Sequence, residues 1–453
     1  MLRLFATSGV VAVVGGAVRH PPRGRAALAM SMCAVASFGA RAGGFDVTEP
    51  TIHRPADAGQ LREIVAWAVA QEQPLEIAGR GTKRILGRPV EAAHQVTVEA
   101  LSGITLYEPE ELVMSARAGT PLATIEAELA ERGQELAFEP ADWGALLDAG
   151  PNGQTIGGVF AANVSGPRRL KAGAARDHLL GLTCVTGHGQ EIKTGGRVVK
   201  NVTGYDLCKL LTGSWGTLAV LTQVTFKVMP KAEDALTLLV TGGDEPGLLA
   251  VLRAAAGSPC EISGAAYLPP LAAGRSQVPA LRRHARGTAA IRLEGFGPSI
   301  AYRKAQLERL LTAPGLEFAS LDAAATAILW REIRDVALLH PERILWRLSV
   351  PPAAAGELVG WTASLTSERL FDWCGGLIWL APKESWARDA ATIRAALAVA
   401  GGHGTLMRAP GWLRREVEPF QPQPPPLRAL TERIKRSFDP QGVLNPGRMY
   451  AGI

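Results

Sequence analysis

The sequence predicts an α+β chain in two parts: a mixed helix-and-strand unit, then a unit with two ferredoxin-like halves on one antiparallel sheet. Three observations carry this. Helical and strand periodicities alternate through residues 46–230, which end in the β-rich run GTLAVLTQVTFKVMP. From 236 to 409 the order strand, helix, strand, strand, helix, strand occurs twice. A Pro-rich stretch, EPFQPQPPPLRAL, then sets off a last helix and a tail. The expected boundaries are an N-terminal extension at 1–45, a first domain at 46–230, a second at 231–417, and a segment at 418–453 that returns to the first domain.

In the first unit, RPADAGQLREIVAWAVAQEQ has Asp57 as an N-cap and Gln60 three residues on, a capping-box pattern. Leu61, Ile64, Val65 and Ala68 follow at helical spacing. PLEIAG reads as a short strand that runs into GRGTKRILG, and HQVTVEAL and ELVMSARAG read as further strands. In GTPLATIEAELAERG, Thr120 is expected to cap a helix and Pro121 to take its first position. Leu122, Ile125 and Leu129 share a face there, and Gly133 ends it. In the second unit, LTLLV, EPGLLAVLRAAA, CEISGAAYL, TAAIRLEGF, SIAYRKAQLERLLTA and LEFAS make one βαββαβ pattern, and ILWRLSV through HGTLMRA make another. Such halves can share a sheet with helices on one face. The helix RALTERIKRSF leads into DPQGVLNPGRMY, whose Asn-Pro-Gly turn predicts a pinned tail.

The 453 residues carry 48 Lys and Arg against 42 Asp and Glu, a net charge of +6. Five of those charges, Arg3, Arg19, Arg23, Arg25 and Arg41, fall within residues 1–45, which hold no Lys, Asp or Glu. The remaining body is nearly neutral, so nucleic acid has no electrostatic case as a partner. The five cysteines, Cys33, Cys184, Cys208, Cys260 and Cys374, form no C-x-x-C pair. An iron–sulfur cluster, structural zinc or other metal site is therefore not expected on this chain. Arg3 and the apolar LFATSGVVAVVGGAV have the make-up of a secretory signal. The alternative is a poorly ordered extension from an upstream start codon, with Met30 and Met32 as later starts. No run of 18 apolar residues exists, so no segment is expected to span a membrane.

Four glycine-rich segments are candidates for chemistry. In AGRGTKRILG, Gly79 and Gly81 bracket Arg80 directly after a strand, with Thr82 and Lys83 following. Consecutive N–H groups in such a turn can form an anion nest, although the spacing is neither a P-loop nor G-x-G-x-x-G. In QTIGGVFAANVSG, Thr155 caps a short helix from Ile156, and Gly157 and Gly158 bare its first turn. A pyrophosphate at the helix start and close helix–strand packing both ask for glycine there. The third segment feeds Gly213-Ser214-Trp215-Gly216-Thr217 into the β run, and the fourth is the tail NPG. Asp177 and Asp206 read as local capping and turn residues.

Taken in order, GRGT, TIGGVFAAN-x-SG, GAARDHLLGL, KNVTGYDLCKLLTGSWGTLAVLTQVTF and FDPQGVLNPGRMY resemble the flavoproteins of the vanillyl-alcohol oxidase superfamily. LEIAGRGTKRILGRPV, LAFEPADWGALL, FDWCGGLIWLAP and HGTLMRAP are similar, within it, to the E-subunit family of bacterial glycolate oxidases. The resemblance spans about residues 52–453. It implies a two-part p-cresol methylhydroxylase-type FAD-binding domain, then an α+β cap domain with the antiparallel sheet. It also implies that backbone does most of the holding of FAD. On that reading Gly79, Arg80, Gly81, Thr82 and Lys83 line the pyrophosphate. Thr155, Ile156, Gly157, Gly158 and Asn163 cover phosphates, ribose and one side of the flavin. Gly216, Val220 and Leu221 contact the adenine end. Pro140 and Asp142 lie in the loop before the second motif, and Asn445 closes over the flavin region from the tail. AGRGTKR holds neither His nor Cys, and His94 is in another segment, so FAD is expected to be non-covalent.

The resemblance further implies conversion of glycolate to glyoxylate, with electrons leaving through flavin and iron–sulfur clusters. The expected partners are a D-type FAD subunit and an iron–sulfur subunit. The expected location is cytoplasmic, peripheral at the inner membrane face through the complex. One departure matters. Relatives that oxidise 2-hydroxy acids carry an H-x-H…H-x-G-D-G-N-type constellation, whereas here His340 and His403 stand alone and FDWCGGLIWL has no ionisable group beyond Asp372. No catalytic residue is assigned. Three readings stay open: a subunit that divides labour with the D type, a self-sufficient FAD-dependent alcohol or lactone oxidoreductase, and a non-catalytic assembly subunit. Seven of the ten tryptophans lie beyond residue 300, as core or as interface, and Trp373 is open between core and flavin-pocket wall.

Overall fold

The computed structural model describes residues 50–197, 204–339, 344–366, 368–383 and 389–453. The N-terminal extension, His340 and Trp386 lie outside them. Helix α1 (Ala58–Ala70) starts where Asp57 accepts the N–H of Gln60 at 2.9 Å. Gln60 Oε1 accepts the N–H of Ala56 rather than that of Asp57, so the box closes one residue upstream. Strands β1 (Thr51–His53), β2 (Leu75–Ala78) and β3 (His94–Thr97) form a parallel sheet in the order β1-β3-β2.

An antiparallel sheet follows from β4 (Ile104–Glu108), β5 (Val113–Arg117), β7 (Leu179–Thr186), β8 (Glu191–Gly195) and β9 (Ala219–Lys227), in the order β4-β5-β9-β7-β8. The short β6 (Gln134–Glu135) pairs with β10 (Met229–Pro230). Helix α2 (Leu122–Glu131) buries Leu122, Ile125 and Leu129, but Thr120 does not cap it. Pro121 holds the N-cap position. The Thr120 hydroxyl instead donates to the Arg117 carbonyl at 2.7 Å and accepts the N–H of Gly103 at 2.9 Å. It is spent fastening the turn before the helix. Helix α3 (Ile156–Ala161) is capped by Thr155 as its sequence predicts.

The second sheet has eight antiparallel strands: β11 (Asp234–Thr241), β12 (Gly264–Leu268), β13 (Thr288–Gly295), β14 (Glu317–Leu321), β15 (Leu345–Ser349), β16 (Arg369–Asp372), β17 (Leu377–Leu380) and β18 (His403–Arg408). Their order is β14-β11-β13-β12-β16-β17-β15-β18. Numbered within each half, that is 4-1-3-2 followed by 2-3-1-4, the ferredoxin-like arrangement twice. The halves join where Tyr267 pairs with Phe371. Alternate strand residues build different cores. Leu238, Ile291, Trp346 and Ile378 pack with α4 (Glu245–Ala256), α5 (Gly297–Leu311), α7 (Ala355–Leu365) and α8 (Ala390–Val399). Leu239, Ala290, Leu370 and Trp379 belong to the core that holds α6 (Ala323–Arg334) and the earlier sheets.

That second face is also where the sheet is bolted to the first 230 residues by charge. Arg292, 3% exposed, forks onto Glu139 with two bonds of 2.9 Å. Arg168 reaches Glu294 at 2.7 Å and Glu135 at 3.0 Å. Burial alone would push these carboxyls up. Arg292, aided by Arg168, outweighs burial, holding Glu139 below the usual carboxylate range and Glu294 at about 2. The tail is pinned as its turn predicts: Leu444 bridges Leu75 in parallel, and Lys435 of α9 (Pro425–Phe438) donates to the carbonyls of Thr217 and Leu444.

Candidate functional site

Beyond β2 the chain turns through Gly79–Lys83 into a cleft of about 730 Å³. Thr97 anchors the turn by donating to the Gly79 carbonyl at 2.6 Å, and Gly81 takes a φ of +74° that favours glycine. Among the described residues none of the backbone N–H groups from Gly79 to Lys83 finds an acceptor, and all five residues line the cleft. Buried or half-buried N–H groups without partners are rare, and a run of them makes an anion nest. Lys83, 9% exposed, donates only to Gln154 Oε1 at 3.1 Å, which leaves ammonium protons to spare. Burial pulls Lys83 down to about 8, against a smaller opposing pull from Asp142. Arg448 comes from the tail, lines the same cleft and donates to the Lys83 carbonyl at 2.6 Å. Burial lowers it to about 10, so it keeps its charge at neutral pH.

Thr155, Gly157 and Gly158 line the cleft too, with Val98 and Ala118, as do Trp215, Gly216, Val220 and Leu221. Unbonded donors and two cations beside apolar surface suit a diphosphate flanked by flat groups that shed water.

Eleven of the sixteen residues expected at the site line this cleft, and five do not. Ile156 is fully buried beneath it. Pro140 is buried in the neighbouring loop, which Asp142 shapes by accepting the N–H groups of Gly144 and Asn152. Asn163 has a left-handed backbone and caps the N–H of Arg176. Asn445, 1% exposed, spends its whole amide on backbone: Oδ1 accepts from Ile77 N at 2.7 Å, and Nδ2 donates to the carbonyls of Ile77 and Trp215. It is a staple behind the wall, with nothing left to offer a ligand.

Gly157 also needs a different explanation from a bare donor. Its N–H is bonded to the Ala118 carbonyl at 2.9 Å, and that of Gly158 turns back to Thr155 Oγ1 at 3.3 Å. A Cβ on Gly157 would stand 2.6 Å from Ala118 Cβ and 2.7 Å from its carbonyl oxygen. Close helix–strand packing is therefore what requires this glycine. The N–H groups free for an anion lie in Gly79–Lys83, and Gly79 is so close to Thr155 that a Cβ there would stand 2.5 Å from its Oγ1. The sequence reading missed Arg448 and Trp215, although both sit inside motifs it singled out, GRMY and GSWGT.

Trp373 does not line the cleft. It is 8% exposed and donates Nε1 to the Gly166 carbonyl at 3.1 Å. Asp177 and Asp206 are local caps, accepting the N–H groups of Ala174 and Lys209. Among the described residues the four cysteines are free and buried, and no group of three or more His, Cys, Asp or Glu could hold a metal. No helix of the described residues is long and apolar enough to cross a membrane.

Residues 50–195 match the FAD binding domain family. Glycolate oxidase subunit GlcE of Escherichia coli K12 is 36% identical over 403 residues, 88% of this chain and 99% of that protein. Glycolate oxidase subunit GlcD of Bacillus subtilis 168 is 32% identical over 186 residues, 41% of this chain and 38% of that protein. Among solved structures, 4-ethylphenol oxidase from Gulosibacter chungangensis shares the fold with a TM-score of 0.66 at 16% identity, over 88% of this chain and 89% of that one. p-Cresol methylhydroxylase does so with a TM-score of 0.65 at 15% identity, over 88% of each. With a matched FAD domain and near end-to-end similarity to one subunit type, the chain belongs to the glycolate oxidase subunit GlcE family of FAD-linked oxidoreductases.

Proposed function

We propose that this chain is the FAD-carrying E subunit of a glycolate oxidase and that it holds FAD without a covalent link. The observation that carries the reading is the run of five unbonded N–H groups at Gly79–Lys83, backed by Lys83 and Arg448. Gly79, Arg80, Gly81, Thr82 and Lys83 take the pyrophosphate. Thr155, Gly157 and Gly158 pack along the ribose and flavin side, and Gly216, Val220 and Leu221 along the adenine. Pro140, Asp142, Ile156, Asn163 and Asn445 support these walls from behind. Bound FAD supplies a two-electron acceptor for oxidation of an alcohol. The protein's own share is to neutralise the diphosphate, exclude water and fix orientation. No His or Cys lines the cleft, which supports non-covalent binding.

The reading includes a D-type FAD subunit and an iron–sulfur subunit as partners, because isolated, buried cysteines give this chain no means of holding a cluster. It divides the chain into an FAD domain at 46–230, a cap at 231–417 and a returning segment at 418–453. It places the complex in the cytoplasm, peripheral to the inner membrane face. Acid precipitation of the purified chain should release one FAD per polypeptide, and glycolate turnover should require the two partners. Flavin that stays with the precipitate overturns the non-covalent claim. Robust turnover by the isolated chain overturns the division of labour.

A further inference from the structure

The second sheet carries a cationic cluster that the FAD cleft does not use. Arg347 lies at the centre of β15, paired with Trp379 of β17 and Thr405 of β18 on the face turned away from α7 and α8. Its guanidinium carbon sits 5.1 Å from the ring centre of Trp373 and 6.0 Å from that of Trp379. Arg169 lies over the same Trp373 ring at 4.5 Å. Among the described residues neither guanidinium has a hydrogen bond or ion pair through its side chain, and each lowers the ease of protonating His403 nearby. Arg347 is half-buried. Desolvation, then repulsion from Arg169, brings it down to about 10 against a smaller opposing pull from Asp372, so Arg347 remains cationic at neutral pH.

Asp372 acts on Arg347, and Asp177 on Arg169, only at a distance. Among the described residues Asp372, 3% exposed, forms no ion pair within 4 Å, and its carboxyl accepts the backbone N–H of Trp373 at 2.7 Å. That bond helps hold an unusual turn. Trp373, Cys374 and Gly375 are three successive residues in the left-handed region, at φ of 51°, 58° and 89°. The first two carry side chains, and strain of this kind collects at ligand clamps. The turn is tied to the FAD side of the molecule: Trp373 Nε1 and Arg169 N both donate to the Gly166 carbonyl. Gly166 follows Ala162, which lines the cleft, by four residues, at most about 14 Å of extended chain.

We propose that Arg347 and Arg169, held against Trp373, form a subsite for one small carboxylate, the acid group of a 2-hydroxy or 2-oxo acid. Two guanidinium forks match a planar carboxylate, and indole walls match a short carbon skeleton. A phosphate would ask for more donors, but the strand backbone here is committed to its ladder and Trp373 N is taken. Assigning the ligand to the alcohol oxidation rests on the proposed function; the subsite itself rests on the arginines.

The test is equilibrium dialysis of the full-length chain, as purified, with labelled oxalate as probe, while FAD content and circular dichroism are followed. Wild type should bind oxalate saturably, one per chain, with quenching of tryptophan fluorescence. Arg347→Met should weaken binding at least tenfold with FAD content and dichroism unchanged, Arg347→Lys should recover part of it, and Arg169→Met should weaken it less. Equal binding by wild type and Arg347→Met, or no saturable binding by folded wild type, overturns the subsite. Oxalate bound through Arg347 in a chain that carries no FAD overturns the FAD reading and leaves the subsite standing.

Discussion

Two arginines on one face of the same sheet have opposite fates. Arg292 on β13 lies 4.5 Å over Trp330, and Arg347 on β15 lies 5.1 Å from Trp373. Each thus has an indole for a floor. Arg292 is completed by Glu139 and by the Ser263 carbonyl at 3.2 Å, and it joins the two parts of the chain. Among the described residues Arg347 has no bonded acceptor, only the like charge of Arg169 and a weaker, unbonded pull from Asp372. A buried cation answered inside the chain belongs to the architecture. One left unanswered implies that its counter-charge arrives from outside.

The comparison breaks most readily at Glu139. Glu139→Ala takes the forked partner from Arg292, leaving Glu294 at 3.7 Å and the Ser263 carbonyl, and should cost about 3 kcal/mol, read by chemical denaturation. The acid side sharpens the same point. The folded carboxyls of Glu139 and Glu294 are held below their unfolded range. Their contribution is therefore complete above about pH 4.5 and fades as pH falls toward 2, so stability should drop across that window and Glu139→Ala should flatten the drop. Gly157→Val comes next. Its overlap with Ala118 should cost about 1–3 kcal/mol and lower melting temperature and flavin content together, while Gly158→Ala, which meets only Thr155 Oγ1 at 3.3 Å, should keep the melting temperature. Flavin loss at an unchanged melting temperature in Gly157→Val would restore a direct role for that glycine.

Lys83 gives a smaller effect. With its ammonium at about 8 and a diphosphate favouring the charged form, FAD binding takes up a proton above that pH. Affinity should fall as pH rises, by at most about tenfold per unit beyond 8, and Lys83→Met should remove the slope. The smallest shift is expected at Arg347, where replacement by Met should move stability by no more than about 1 kcal/mol. A loss as large as that of Glu139→Ala would make Arg347 a structural group.

The elements were legible because their periodicities are strong. Helix α4 is the segment EPGLLAVLRAAA, and the doubled βαββαβ follows from strand and helix spacing alone. The Gly79–Lys83 turn is a weak signal alone, since a G-x-G after a strand is as often a plain turn, and it gained meaning only in order with TIGGVFAAN and GSWGT. Gly157 stayed open between phosphate and packing because a glycine kept bare for a ligand and one kept bare for a neighbouring Ala118 look alike in one dimension. Asn445 was misread for a related reason: its partners, Ile77 and Trp215, are distant in sequence. Arg347 left no signal beyond its place in LWRLS, since an unanswered charge is defined by what surrounds it in space.

Ile77 and Asn445 are 368 residues apart, yet their side chain-to-backbone bond braces the strand that opens the cradle. During synthesis β2 leaves the ribosome long before the segment that braces it. Loop closure over such a span makes the cradle's rear wall among the last parts to form. The bond that braces β2 therefore has to wait for Asn445, by which point every strand of the second sheet, the last ending at Arg408, has been synthesised.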